Sequence, residues 1–340
     1  MSGSVRVQRA GPGVSVQDQG RHGWLAHGLS RGGAADLLAL AEGAALLGQD
    51  AGCAAFEIAG SFLTIEMTRD ARIALTGAPM RATIDGRPCA WHASHGLAEG
   101  TRLEISGSAG GYSYLHFGGG LQVAQVLGAG SAHLAVGIGR MVAQGDTVPL
   151  GTDAGTRTGL TLDVQARFEG GKLRLVPSLQ TALFTEGERA RFCATRFRKD
   201  TRANRMGQRL VFDGEGFATP RGLHILSETI VPGDVQITGN GIPFVLLSEC
   251  QTTGGYPRIA TVLPCDLPRL VQAPPEATLR FEFIALDQAA KLERAEAQRR
   301  AGLQGSLRPL IRDPARMPDL LSYQLISGMT AGDDLERSPR

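Results

Sequence analysis

Short runs that alternate apolar and polar residues dominate the chain, and they predict β-strands. Such alternation turns one face of a strand to a core and the other to solvent. The run IPFVLLS at 242–248 is almost wholly apolar, which predicts a strand buried on both faces. The other strand-like runs lie at 56–67, 71–75, 101–105, 112–117, 172–176 and 279–284. About a dozen strands separated by glycine-rich turns indicate an all-β protein built from barrels or sandwiches.

Two stretches have helical spacing instead. From Ala35 to Leu47, apolar residues recur every three or four positions, and Gly48 follows as a stop signal. The second stretch, DQAAKLERAEAQRRA at 287–301, has a thin apolar stripe and would rest on the surface or on a partner. In the tail beyond it, we expect order only where LLSYQLISG (320–328) docks.

These patterns divide the chain into three parts. We predict a β-rich domain at 1–155 that contains the first helix, a β-barrel domain at 156–285, and a helix with a tail at 286–340. The linker between the domains is placed in GTDAGTRTG at 151–159, because glycine and small polar residues cluster there.

Composition excludes several classes of protein. The formal net charge of the 340 residues is +2, so no electrostatic footprint for nucleic acid or an anionic membrane is present. The sequence has neither a run of 18 apolar residues nor an apolar stretch near its start that could serve as a secretory signal. The five cysteines are odd in number and widely spaced, which argues against a disulfide scaffold or a zinc site. We therefore expect a soluble cytoplasmic protein without a metal ion.

Familiar catalytic motifs are missing as well. The sequence has no P-loop, and its Gly-rich stretch at 128–139 does not open a helix after a strand, as a dinucleotide site would. It also lacks the G-x-S-x-G elbow of serine hydrolases. Chemistry must therefore come from other polar clusters.

The first such cluster is VQDQGRHG at 16–23. Asp18 and Arg21 are three residues apart with glycine beside them, and the arginine is suited to clamp an anion in two places. Alternatively, the two side chains brace a turn.

A second cluster contains six of the chain's basic residues between 196 and 209 and includes Asn204, Arg205 and Arg209. In a nearly neutral protein, this local charge predicts a site for phosphate or carboxylate. The alternative is a solvated basic loop.

The third cluster, ECQTTGGYP at 249–257, directly follows the apolar run 242–248. Hydroxyls, an amide and backbone N–H groups at the mouth of a buried strand are suited to a polar ligand. A tight turn capped by threonine is the alternative. If the first interpretation holds for all three clusters, they should approach one shared cleft.

In this order, the three clusters resemble the carboxyltransferase-like family that contains KipA, the C subunit of 5-oxoprolinase (PxpC), allophanate hydrolase subunit 2 and the carboxyltransferase module of urea carboxylase. The resemblance rests on VQDQGRHGW, SRGGAADLLAL, VGIGRMVAQGDTVPLG, NRMGQRL and LLSECQTTGGYPRIATVLPCDLPRL, and it spans roughly residues 5–285. It implies β-barrels of the cyclophilin-like type.

The resemblance also implies a function. The chain would be a subunit that acts with a KipI/PxpB-like partner, alone or together with a PxpA-like one, to open 5-oxoproline or another small lactam or amide, with ATP bound by the complex. The alternatives are a biotin-dependent carboxyltransferase component and a non-enzymatic regulator like KipA. We assign catalytic roles to Asp18, Arg21, Arg205, Gln251 and Tyr256. Substrate binding is assigned to Gln17, Asn204, Arg209, Thr252, Thr253, Gly254 and Gly255.

Two blocks depart from the family pattern. Where the family carries Ser-Thr-Asp, often with a basic residue, this chain reads Ser131-Ala132-His133-Leu134-Ala135. The NRMG block, which usually continues with tyrosine in the family, continues with Gln208 here. The loss of an acid and a hydroxyl is expected to change the substrate or abolish the activity.

Overall fold

A computed structural model describes residues 3–107 and 110–311. The segment 320–328, which was expected to dock, lies outside the described residues. The strands of the first half are β1 (Ser4–Ala10), β2 (Val14–Gln17), β3 (Ala55–Ala59), β4 (Leu63–Met67), β5 (Ala71–Gly77), β6 (Arg81–Ile84), β7 (Arg87–Pro88), β8 (Ala93–Leu97), β9 (Arg102–Ser106), β10 (Tyr112–Phe117), β11 (Thr147–Pro149) and β12 (Leu160–Thr161).

The second half is also built mainly of strands. They are β13 (Gly171–Val176), β14 (Arg198–Lys199), β15 (Gly207–Val211), β16 (Glu228–Thr229), β17 (Asp234–Ile237), β18 (Pro243–Leu246), β19 (Thr253–Gly254), β20 (Arg258–Val262), β21 (Leu279–Phe283) and β22 (Arg308–Pro309). The helices are α1 (Leu37–Leu47), α2 (Glu186–Ala194), α3 (Leu267–Gln272) and α4 (Leu286–Ala301). The predicted mostly-β architecture is confirmed.

Two sheets enclose the core of the first half. Their spatial orders are β11-β1-β4-β9-β6-β7 and β2-β3-β10-β5-β8-β12-β22. The neighbouring strands are antiparallel: β10, for example, pairs with both β3 and β5. Apolar residues from both sheets, such as Val7 and Phe56, meet in one buried cluster, so the sheets pack face to face.

A third sheet, ordered β14-β15-β18-β17-β20-β13-β21, forms the second half and has its own buried cluster. Its pairs are antiparallel except for β13 and β21, which run parallel. Phenylalanine rings fill much of this core, and the rings of Phe192 and Phe197 lie 4.9 Å apart. The two clusters lie on either side of residue 155, and the domain boundary there stays a prediction.

Helices α1 and α4 match the two predicted stretches within two residues at each end. The Asp36 side chain accepts hydrogen bonds from the backbone N–H groups of Leu38 and Ala39, which caps α1. Helices α2 and α3 were not predicted, because α3 has only six residues and α2 buries only Phe192.

Candidate functional site

A cavity of about 500 Å³ joins parts of the chain that are distant in sequence. This size falls within the range of small-molecule sites. Its lining residues are Gly28, Ser30, His133, Ala135, Val136, Met206, Glu249, Cys250, Gln251, Thr252 and Thr253. The cavity therefore brings together three segments: the block around His133, which departs from the family pattern, the NRMG block, and the beginning of the QTTGGYP block.

Three buried polar side chains form a row in the cavity wall. Ser30 Oγ lies 2.9 Å from His133 Nε2, and His133 Nδ1 lies 3.9 Å from Glu249 Oε2. The Nδ1 atom is buried and has no hydrogen-bond partner among the described residues. Burial lowers the pKa of His133 below its usual value, although the Glu249 carboxylate opposes the shift. The imidazole is thus neutral at pH 7, with a hydroxyl on one side and a carboxylate on the other.

The backbone approaches the His133 ring closely at Gly32. This residue has a φ of 62°, and a Cβ atom there would lie 2.9 Å from His133 Cδ2. Its N–H group donates to the Ser248 carbonyl at 2.8 Å. Only glycine fits this conformation and this contact. Gly32 therefore allows the segment that carries Ser30 to lie close to His133 and Glu249.

Arg205 holds Glu249, the third residue of the row, in place. Its Nε donates to Glu249 Oε1 at 2.6 Å, and its two terminal nitrogens bind the Glu57 carboxylate and the Gly33 carbonyl. Burial alone would lower the pKa of Arg205, but Glu57 and Glu249 outweigh it and raise that pKa. The Arg205 guanidinium thus binds carboxylates of the protein itself, and its role toward a ligand stays a prediction.

Asp18 and Arg21 do not line the cavity, but they hold the loop that leads to His133. Asp18 Oδ2 accepts hydrogen bonds from the N–H groups of Gly130 at 2.7 Å and Ser131 at 3.2 Å. Arg21 is buried and donates to the carbonyl groups of Ser131 at 2.6 Å and Val126 at 2.9 Å. These bonds correspond to the bracing alternative, and they fix the backbone two residues before His133.

The other predicted residues of the second cluster point elsewhere. Asn204 Oδ1 accepts from the N–H groups of Met206 and Gly207 at 2.9 and 3.2 Å, which closes a local turn. Arg209 pairs with Asp200 at 2.5 Å. Neither side chain lines the cavity.

The third cluster splits between two places. Gln251, Thr252 and Thr253 line the cavity, and their side chains have no hydrogen-bond partner within residues 3–107 and 110–311. The chain then leaves the cavity, and the Tyr256 ring lies 5.7 Å from that of His224.

The two glycines and Gln17 lie outside the lining. Gly254 pairs with Glu228 between β19 and β16, and a Cβ atom there would lie 2.5 Å from Gln236 Nε2. The Gly255 carbonyl accepts from the backbone of Ile225. Gln17 is buried in β2 and donates to Ser15 Oγ at 2.9 Å.

Sequence reasoning missed Ser30 and Glu249 as members of the site. Glu249 was part of the third cluster but was given no role, and His133 appeared only as a departure from the family pattern. Ser30 begins the SRGGAADLLAL block, but no local spacing connects it with His133 or Glu249, so only the fold shows its neighbours.

The described residues contain neither a group of three or more His, Cys, Asp and Glu side chains able to hold a metal ion nor a helix long and apolar enough to cross a membrane. The cavity itself presents a hydroxyl beside a neutral imidazole, with unpaired amide and hydroxyl groups facing the same space.

Comparison with known proteins places this geometry in a family. The sequence model of the carboxyltransferase domain, subdomain A and B, matches residues 27–283. The chain belongs to the carboxyltransferase-domain family. The matched range contains the row of Ser30, His133 and Glu249, and it ends before α4.

Two curated proteins, both named as the C subunit of 5-oxoprolinase, are similar to this chain over most of their length. The chain is 35% identical to the one from Escherichia coli over 295 residues, which cover 84% of this chain and 93% of that protein. It is 31% identical to the one from Haemophilus influenzae over 287 residues, covering 83% and 91%.

Solved structures confirm the carboxyltransferase-domain fold. The structure of TTHA0988 superposes with a TM-score of 0.76 at 31% identity, covering 83% of this chain and 56% of that one. The chain thus spans about half the length of TTHA0988. The urea amidolyase of Kluyveromyces lactis has a TM-score of 0.77 at 20% identity, with 92% of this chain and 21% of that enzyme covered, a likeness of fold alone.

Proposed function

We propose that the chain is the C subunit of a 5-oxoprolinase-type complex, which opens 5-oxoproline or a similar small lactam. The observation that carries the proposal is the 35% identity to the Escherichia coli protein of that name, 93% of which is covered. The proposal includes a KipI/PxpB-like partner, a PxpA-like third subunit, and ATP bound by the complex. The proposal also locates the complex in the cytoplasm, because the proposed reaction consumes ATP.

The cavity supports a small polar substrate. Its volume of about 500 Å³ exceeds what a five-membered lactam needs, so a partner protein has room to insert a side chain. The free side chains of Gln251, Thr252 and Thr253 offer hydrogen bonds to an amide and a carboxylate. A site that hydrogen-bonds its substrate discriminates strongly against analogues that lack the matching group.

The test is reconstitution of the complex from this chain and the two other subunits of its source organism. We expect glutamate formation that depends on 5-oxoproline, ATP and all three proteins. The variant Thr252→Val should raise KM several-fold, because a hydrogen bond to the substrate is lost. Thr156→Val, at an exposed position outside the cavity, is the matched control. Absence of glutamate with every combination of subunits would contradict the proposal.

A biotin-dependent carboxyltransferase is the second candidate, favoured by the family description itself. In that case, the chain would transfer a carboxyl group from carboxybiotin to urea or another amide. Incubation with carboxybiotin and urea, followed by detection of the carboxylated product, separates the two candidates. A chain that binds its partner but turns over neither substrate would instead be a regulator of the KipA kind.

A further inference from the structure

The row of Ser30, His133 and Glu249 has the order of a nucleophile, a base and an orienting acid. We propose that Ser30 is a nucleophile that accepts the acyl group of small esters or amides, with His133 as its general base and Glu249 as the positioning residue. All three side chains belong to this chain, so the activity needs neither ATP nor a second protein. It is separate from the proposed 5-oxoprolinase reaction, although both would use the same cavity.

The distances fit these roles. A hydroxyl 2.9 Å from an imidazole nitrogen is within reach for proton transfer. Nε2 can accept that proton only if the ring carries its hydrogen on Nδ1, and Nδ1 faces the Glu249 carboxylate at 3.9 Å. This gap is longer than a hydrogen bond, but catalytic contacts often tighten only when the substrate is bound.

Glu249 itself is held in place on two sides. Its Oε1 accepts from Arg205, and its Oε2 accepts from the Ala135 N–H at 3.1 Å, two residues beyond His133. The carboxylate is therefore fixed beside the imidazole, where it can stabilise the imidazolium that forms when Ser30 loses its proton.

Access to Ser30 comes through the cavity. At its rim, Val136 and Met206 are 52% and 37% exposed, which provides an apolar edge for a small acyl chain. Gln251, Thr252 and Thr253 bring free hydrogen-bond donors to the same space, as the stabilisation of an oxyanion requires.

The reaction balances with these groups and water. Ser30 Oγ forms a bond to the acyl carbon while its proton passes to His133 Nε2. The bond from that carbon to the leaving oxygen or nitrogen then breaks, and the leaving group takes the proton from Nε2. Water attacks the resulting serine ester, loses a proton to Nε2, and releases the carboxylic acid as that proton returns to Ser30.

A second hydroxyl–imidazole pair in the same protein shows what a purely structural pair looks like. Thr76 Oγ1 lies 2.8 Å from His116 Nε2, and the hydroxyl donates to the Ala39 carbonyl. Both residues are buried, and neither lines the cavity that Ser30 faces. Ser30 differs in lining an open cavity and in having a carboxylate on the far side of its imidazole.

The test uses diisopropyl fluorophosphate, which labels activated serines, on the full chain alone. Ser30 Oγ should displace fluoride, with its proton passing to His133, and peptide mapping by mass spectrometry should place the label on Ser30. Ser30→Ala should abolish the label, His133→Asn should slow it at least 100-fold, and Glu249→Gln should slow it about tenfold. Urea unfolding confirms that each variant is folded.

The wild-type chain provides a test that does not depend on any variant. The charged groups around His133 are Glu249, Arg21 and Arg205, and its pKa lies below the usual value of 6.5. Labelling should therefore rise with pH through that lowered pKa and be constant near neutrality. A chain whose Ser30 is unlabelled, or is labelled equally fast in His133→Asn, would overturn the proposal. Labelling without turnover of 5-oxoproline by the reconstituted complex would instead count against the proposed function alone.

Discussion

Replacement of Arg205 by lysine tests whether the buried hydrogen bonds of this arginine connect the two halves of the protein. The guanidinium binds Glu57 and Gly33 of the first half and Glu249 of the second through three different nitrogens. Its side chain is only 11% exposed, so solvent cannot replace these bonds. Lysine keeps the charge but has a single nitrogen, which cannot span three partners in different directions.

The expected cost follows from the bonds that are lost. Hydrogen bonds to charged groups contribute roughly 1.5–3 kcal/mol each. If lysine keeps one of three, Arg205→Lys should lower the free energy of unfolding by about 3 kcal/mol or more. Complete removal of the charge, as in Arg205→Met, should cost about 3–5 kcal/mol, because two buried carboxylates lose their counter-ion.

Arg209→Lys is the matched control in the same block. Arg209 pairs with Asp200, which keeps Arg202 as a second partner at 2.8 Å, and its side chain is partly exposed. Such a pair contributes at most about 1 kcal/mol. In urea, followed by tryptophan fluorescence, the Arg205→Lys midpoint should fall by about 1 M or more, and that of Arg209→Lys by much less. Equal shifts would refute the reasoning.

The remaining predictions concern buried groups. Gly43→Ala in α1 should destabilise the protein by about 1–3 kcal/mol in thermal melts, because its Cβ would lie 2.3 Å from the His116 ring, whereas Gly187→Ala in α2, with nothing within 4 Å, should be neutral or stabilising. Burial lowers the pKa of Lys199 to about 8 from 10.5, so the unfolded chain binds more protons between these values, and the stability of wild type relative to Lys199→Met should rise with pH by about 3 kcal/mol. Burial lowers the pKa of His116 to about 3 from 6.5, so wild type should lose stability relative to His116→Gln as pH falls from 6.5 to 3 in urea titrations.

The local pattern of the sequence was sufficient for much of the fold. The run YSYLHF predicts a strand at 112–117, which is where β10 lies, and the helix expected to end before Gly48 ends at Leu47. These elements carry their own periodicity and stop signals. Helix α2 escaped prediction because its one buried residue, Phe192, packs on Phe197 and on Phe281 of the distant strand β21.

The site was predictable only in part, for a physical reason. A sequence shows that a guanidinium at 205 needs an anion, but it does not show whether that anion is a ligand or a carboxylate of the same chain. Here it is the latter, since Glu57 is 148 residues away. Similarly, 103 residues separate Ser30 from His133, and no local spacing connects them.

The motifs that carry the family resemblance both line the cavity and support its walls. Asp18 and Arg21 bond to the backbone just before His133, and Arg205 bonds to Glu249, so these residues fix the direction of side chains that face the cavity. A change at His133 can therefore alter the chemistry while its supports remain in place. The resemblance predicts an acid in the block that contains His133, and the imidazole there lies inside a frame that Asp18, Arg21 and Arg205 hold.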